Sequence, residues 1–197
     1  MKKLVSLGLL ALFLFLAGCS EKIPEENTIA VDKKGVITYT VVEDFGKDFY
    51  DIEELRRDIE EEIENYNRNF GSDPLKLKTL EADEGKAVMQ LEFSEARYYE
   101  EYYTDYSKAT LFVGTLEEAE EAEYDLSGEF MGADGSLTDL SQISSSEKLH
   151  VLITNETLSI QVPGEIQCVS PSGSVAILGK QEAVVKEEVR QACIIYK

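Results

Sequence analysis

Six apolar residues, Ile52, Leu55, Ile59, Ile63, Tyr66 and Phe70, recur at steps of three and four along one stretch of the chain. On a helix of 3.6 residues per turn they share one stripe, with Glu53, Glu54, Arg57, Glu60, Glu61 and Glu64 turned away. The pattern predicts an amphipathic helix that has to lie on an apolar surface made by the rest of the chain. Asp51 stands where an N-cap is needed, Glu54 three residues on completes a capping box, and Tyr50 and Leu55 are spaced as a hydrophobic staple. Glu53 with Arg57 and Glu64 with Arg68 are i,i+4 pairs in the favoured order, and Gly71 and Pro74 end the run.

Two β-hairpins are the natural partners of that stripe. Residues 28–33 and 36–43 are β-branched runs around Lys34-Gly35, and residues 75–80 and 87–93 flank Asp83-Glu84-Gly85-Lys86. The second hairpin would bury Leu75, Leu77, Met89, Leu91 and Phe93. Tyr98, Tyr99, Tyr102, Tyr103 and Tyr106 then fall in one arc of a short helix. Five aromatic rings on one face either pack on the hairpin or offer stacked surfaces to a sugar or peptide. Residues 109–114 read as a buried strand, and Thr115 with Glu118 forms a capping box that opens a short acidic helix.

Between Asp125 and Lys148 the glycines and the serine run break any period, and only Phe130 and Met131 suggest a brief strand. Beyond it, alternation at Leu149, Val151 and Ile153, and again at Leu158, Ile160 and Val162, signals short strands that continue to Tyr196. The expected fold class is α+β: β-hairpins packed on a long amphipathic helix, followed by a β-rich C-terminal part. Residues 28–197 are read as one domain, with a subdivision left open near 125–148.

The N-terminus carries a different message. Lys2 and Lys3 precede an apolar run from Leu4 to Leu16, which is shorter than the roughly 20 residues a membrane span needs. Small residues Ala17 and Gly18 then lead into Cys19. The box Leu16-Ala17-Gly18-Cys19 resembles that of bacterial lipoproteins, and the resemblance implies diacylglycerol transfer to the Cys19 thiol with cleavage before it. Residues 1–18 are thus expected to be a signal peptide and 19–27 a lipidated linker. Two acyl chains on one residue hold stably to a bilayer where one does not. The expected location is the cell membrane, facing outside the cytoplasm.

Charge narrows the partners. Thirty-nine acidic against nineteen basic residues give −20, a field that repels nucleic acid and anionic leaflets alike. In an extracytoplasmic compartment Cys168 and Cys193 are an even pair, free to form a disulfide or to serve as buried thiols.

Motifs for catalysis are sparse. Walker, G-x-S-x-G, H-E-x-x-H and C-x-x-C patterns are absent, and no cofactor or metal is expected. Ser145-Ser146-Glu147-Lys148 matches S-x-x-K, but without its companion elements. His150 stands alone on an alternating strand, and the acidic cluster at Glu117, Glu118, Glu120, Glu121 and Glu123 lines a helix rather than a cation loop.

From Val41 to about Thr115 the chain also resembles uncharacterised lipoproteins of Gram-positive gut bacteria. The resemblance is carried by Val42-Glu43-Asp44-Phe45, by the helix ending Glu62-Ile63-Glu64-Asn65-Tyr66-Asn67, and by Leu111-Phe112-Val113-Gly114-Thr115. It implies export and no particular chemistry. The expected function is that of a membrane-anchored, non-catalytic module binding an envelope protein, peptide or glycan. The alternative is an envelope hydrolase acting through acidic residues or Ser145.

Overall fold

Alternation of burial along the strands sorts them into two sheets. The computed structural model describes residues 26–104, 107–143, 148–171, 173–187 and 189–197. One sheet has seven strands: β1 (Thr28–Val31), β2 (Ile37–Asp44), β3 (Leu75–Asp83), β4 (Lys86–Phe93), β9 (Ser159–Gln161), β11 (Val175–Ile177) and β12 (Glu182–Val185). Their spatial order is β11-β12-β9-β1-β2-β4-β3. The other has six: β5 (Leu111–Thr115), β6 (Glu129–Gly132), β7 (Leu137–Asp139), β8 (His150–Thr154), β10 (Ile166–Val169) and β13 (Ala192–Tyr196), in the order β5-β8-β13-β10-β6-β7. Neighbours pair antiparallel except β1 and β9, which run parallel and bring residues 28–30 beside residues 159–161.

The central strands of the six-stranded sheet are apolar on both faces. In β13 Ala192, Ile194 and Tyr196 join the main core, while Cys193 and Ile195 point into a second one. In β8 Leu152 faces the first core, and Val151 and Ile153 face the second. This two-sided burial puts apolar residues at successive positions of both strands, beyond the alternation at Leu149, Val151 and Ile153. The main core is shared with the seven-stranded sheet through Ile29, Ile37, Leu91, Phe93 and Ile160. The second core is closed by Ala119 of α3 (Leu116–Glu121) with Leu116, Tyr124 and Leu126.

A helix, α1, spans Ile52–Asn67, and the Asp51 carboxylate accepts from the N–H groups of Glu53 and Glu54. Glu64 and Arg68 pair at 3.0 Å, whereas Glu53 pairs with Arg56, at 3.9 Å, rather than with Arg57. A shorter helix, α2, spans Ala96–Tyr103.

The α+β expectation is corrected at the level of architecture. The described residues form thirteen strands in two sheets with only three α-helices, a mostly β fold that is not organised on a long helix. Along α1 only Ile63 is buried, and Ile52, Leu55, Ile59 and Tyr66 remain partly exposed. The helix covers the margin of the main core beside β3, where Arg56 Nη2 donates to Leu80 O (2.7 Å) and Asn67 Nδ2 donates to Leu75 O (2.8 Å). Its stripe is the strongest local signal in the sequence, yet local periodicity does not measure how much of the core an element fills. Residues 125–148 also hold more order than an irregular excursion, since β6, β7 and a 3-10 turn at Leu140–Gln142 lie within them.

Candidate functional site

The outward face of the seven-stranded sheet is unlike its core face. On β2 Ile37 and Tyr39 point inward, so Thr38 and Thr40 point outward; on β1 the inward pair is Ile29 and Val31, leaving Thr28 and Ala30 outside. Strand register lines these positions up. One cross-strand row runs Ser159, Thr28, Thr40, Gln90, and the next runs Glu182, Gln161, Ala30, Thr38, Glu92.

Small side chains in the middle and longer ones at the ends make a trough of about 550 Å³. Thr28, Ala30, Thr38 and Thr40 form its floor, and Gln90, Gln161, Glu26, Glu182 and the exposed Leu178 form its sides. Several of these groups are already oriented. Gln90 Nε2 donates to Thr40 Oγ1 (3.3 Å), Ser159 Oγ donates to Glu26 Oε1 (2.8 Å), and Thr28 Oγ1 donates to the Glu26 carbonyl (2.9 Å). Thr38 and Gln161 make no side-chain hydrogen bond among the described residues, so their donors and acceptors are open to a ligand. The backbone beneath is fully used in strand pairing, which leaves side-chain hydroxyls, carboxamides and carboxylates as the recognition chemistry.

A larger hollow of about 750 Å³ lies between the end of α1 and β3, but it is a weaker candidate. Part of its polar lining is already bonded: Asn67 both donates to and accepts from the Leu75 backbone, and Arg68 is held by Glu64 and Asn65. The trough, by contrast, gathers its polar groups from several strands, with Thr38 and Gln161 making no side-chain hydrogen bond among the described residues.

The tyrosine arc is drawn into the core. Tyr99 is fully buried, and its hydroxyl donates to Glu156 Oε2 at 2.6 Å. Tyr99 meets Tyr39 edge-on at 5.3 Å and Phe93 at 5.4 Å, while Tyr103 lies 5.5 Å from Tyr39. Burial pushes the Tyr39 phenol up to about 12, and pushes those of Tyr99 and Tyr103 higher still, with the Glu156 carboxylate adding to each. Tyr98 and Tyr102 are half-buried: Arg97 stacks over the Tyr98 ring, and the Tyr102 hydroxyl donates to Glu62 at 2.8 Å. Tyr99 thus presents no stacking surface to a ligand, and Tyr103 is half-buried against the main core. Tyr106 lies outside the described residues.

Cys168 and Cys193 are both buried and both free thiols, on neighbouring strands that face the second core. Burial pushes the Cys168 thiol up to about 12, helped by Cys193; burial likewise raises Cys193, partly countered by hydrogen bonds from Gln191 and Ser170. Protonated, enclosed thiols are poor nucleophiles. His150 stacks on Tyr196 at 5.7 Å, at the start of β8. Cys19 and its box, and Ser145 with Ser146 and Glu147, lie outside the described residues. Among the described residues no group of three or more His, Cys, Asp or Glu is placed to hold a metal ion, and no helix is long and apolar enough to cross a membrane.

The trough residues went unnoticed in the sequence because they read as the polar side of a half-buried strand, although Thr40 is itself buried beneath Gln90. The available signal was Ile37-Thr38-Tyr39-Thr40, an alternation whose outward members are hydroxyls rather than charges. Comparison with protein-family models, with curated proteins and with solved structures finds no match to this chain.

Proposed function

We propose that this chain is an extracytoplasmic lipoprotein, held to the cell membrane by acyl chains on Cys19, whose seven-stranded sheet binds a neutral glycan along its outer face. The anchor rests on Leu16-Ala17-Gly18-Cys19 and on the stability of two acyl chains in a bilayer. The observation that carries the binding reading is the pair of cross-strand rows, in which hydroxyl, carboxamide and carboxylate groups converge over a floor of threonine and alanine.

Vicinal sugar hydroxyls both donate and accept, so they suit threonine hydroxyls and glutamine amides, and the rim carboxylates of Glu26 and Glu182 accept from them. A peptide strand would look for unpaired backbone at a sheet edge, and the trough lies across strands whose backbones are already paired. A charge of −20 disfavours anionic ligands.

The test is calorimetric titration of the full chain with soluble neutral envelope oligosaccharides. Thr38→Phe, which fills the floor, is expected to weaken binding by more than about tenfold, while Thr38→Ser retains it. An equal affinity for the Thr38→Phe variant would rule out the trough. For the anchor, mass spectrometry of the mature N-terminus should find a diacylglyceryl cysteine, and a full-length chain with a free Cys19 thiol in the soluble fraction would remove that half of the proposal.

A further inference from the structure

The loop from Phe45 to Tyr50, between β2 and α1, holds an aromatic cluster that the core does not use. Phe49 is 75% exposed and Tyr50 40% exposed, values far from those of packing residues. The cluster is nevertheless ordered by its own contacts. Phe45 stacks on Tyr50 at 4.9 Å with an interplanar angle of 24°, and Phe49 meets Tyr50 edge-on at 5.0 Å. The Phe45 N–H donates to Gly85 O at 2.7 Å, tying the loop to the β3–β4 turn, and the Tyr50 N–H donates to Lys47 O at 3.0 Å. Exposed aromatic rings held in place on a soluble surface mark an interaction site.

The chain itself indicates the chemistry of the occupant. Lys47 Nζ lies 5.7 Å from the Phe49 ring centroid and 5.6 Å from that of Tyr50, so an ammonium already rests over both rings. Exposed carboxylates of Glu43, Asp44, Asp48 and Glu54 border the loop in sequence, and none of the four makes an ion pair among the described residues. Rings that attract a cation, beside acids that lack one, are complementary to a positively charged partner.

We propose that this loop docks a basic segment of a partner protein, whose lysine or arginine displaces Lys47 from the Phe49 and Tyr50 rings while further basic residues meet the neighbouring carboxylates. The site is separate from the sheet trough and does not depend on the glycan reading. It gives the tethered domain a second, protein-directed contact.

The test is fluorescence anisotropy of a fluorescein-labelled tetralysine peptide titrated with the full chain at low ionic strength, with the fully acetylated peptide as the uncharged control. Phe49→Ala should weaken binding by about fivefold or more; at 75% exposure the change spares the fold. Lys47→Gln should tighten it severalfold by removing the internal competitor. Lys33→Gln, the same charge change near the other end of β2, should leave it unaltered. Unchanged binding in Phe49→Ala, or equal effects of Lys47→Gln and Lys33→Gln, would show that the peptide reads only net charge and would overturn the proposal. So would Phe49-dependent binding to phosphatidylcholine vesicles in place of the peptide, since the occupant would then be a bilayer.

Discussion

Glu156 is the residue where burial and charge are most directly opposed. Its Oε2 accepts from the Tyr99 hydroxyl at 2.6 Å, with Tyr39 and Tyr103 close enough to feel its charge. Burial raises its carboxyl above the ordinary 4.5, and the Tyr99 hydrogen bond only partly offsets this. A carboxyl raised in the folded state holds its proton over a window in which the unfolded chain has lost it. Stability therefore falls as pH rises from about 4.5 to the raised value, and the cost persists above it. Glu156→Gln keeps an acceptor for Tyr99 and carries no charge. It is expected to be more stable than the parent at pH 7, with the two proteins converging below about pH 4, measured by urea unfolding at both pH values. A variant less stable than the parent at pH 7 would mean that the ionised carboxylate is stabilised by its surroundings.

At the scale of elements, the junction of β5 and α3 shows how a local signal can determine structure. Thr115 Oγ1 accepts from the Glu118 N–H at 3.2 Å, and Glu118 Oε2 accepts from the Thr115 N–H at 2.7 Å. That second bond holds the Glu118 carboxyl below its usual range. The cap fixes where the strand ends and places Ala119 against the second core. Thr115→Ala should cost about 1 kcal/mol in chemical unfolding, and Thr115→Ser distinctly less, because serine restores the acceptor. An equal loss in both variants would assign the effect to the methyl group instead. Signals of this kind were legible in the sequence: the cap at Asp51, the turns at Lys34-Gly35 and Glu84-Gly85, and the helical stripes all depend on residues a few positions apart. The sheets were not. The parallel pairing of Thr28 with Ser159 brings distant segments together, and β12 is only four residues long. The trough inherits that opacity, because its rows exist only once β9, β1, β2 and β4 are in register. In the aromatic loop, Tyr50 has the spacing of a staple and also stacks on Phe45, a contact no periodicity announces.

For the whole molecule, the order of the strands decides how it comes apart. β9, β11 and β12 come from the C-terminal part of the chain, yet they complete a sheet begun by β1 to β4. The main core likewise draws on both sheets, with Ile29, Ile37 and Phe93 from one and Leu111, Leu152 and Ile194 from the other. Neither sheet can leave without exposing the apolar face of its partner, and the N-terminal strand cannot leave without uncovering β9. Far-UV circular dichroism and tyrosine fluorescence should therefore report coincident transitions in denaturant. Ile194 is fully buried on the face of β13 that joins the main core. Ile194→Ala removes packing from that shared region, and it should lower the single midpoint by the equivalent of about 2–5 kcal/mol without splitting the transition. Two separated transitions, with the substitution moving only one, would show that the six-stranded sheet folds on its own. The sheet trough would then belong to an independent unit, and the seven-stranded sheet could be studied without its neighbour.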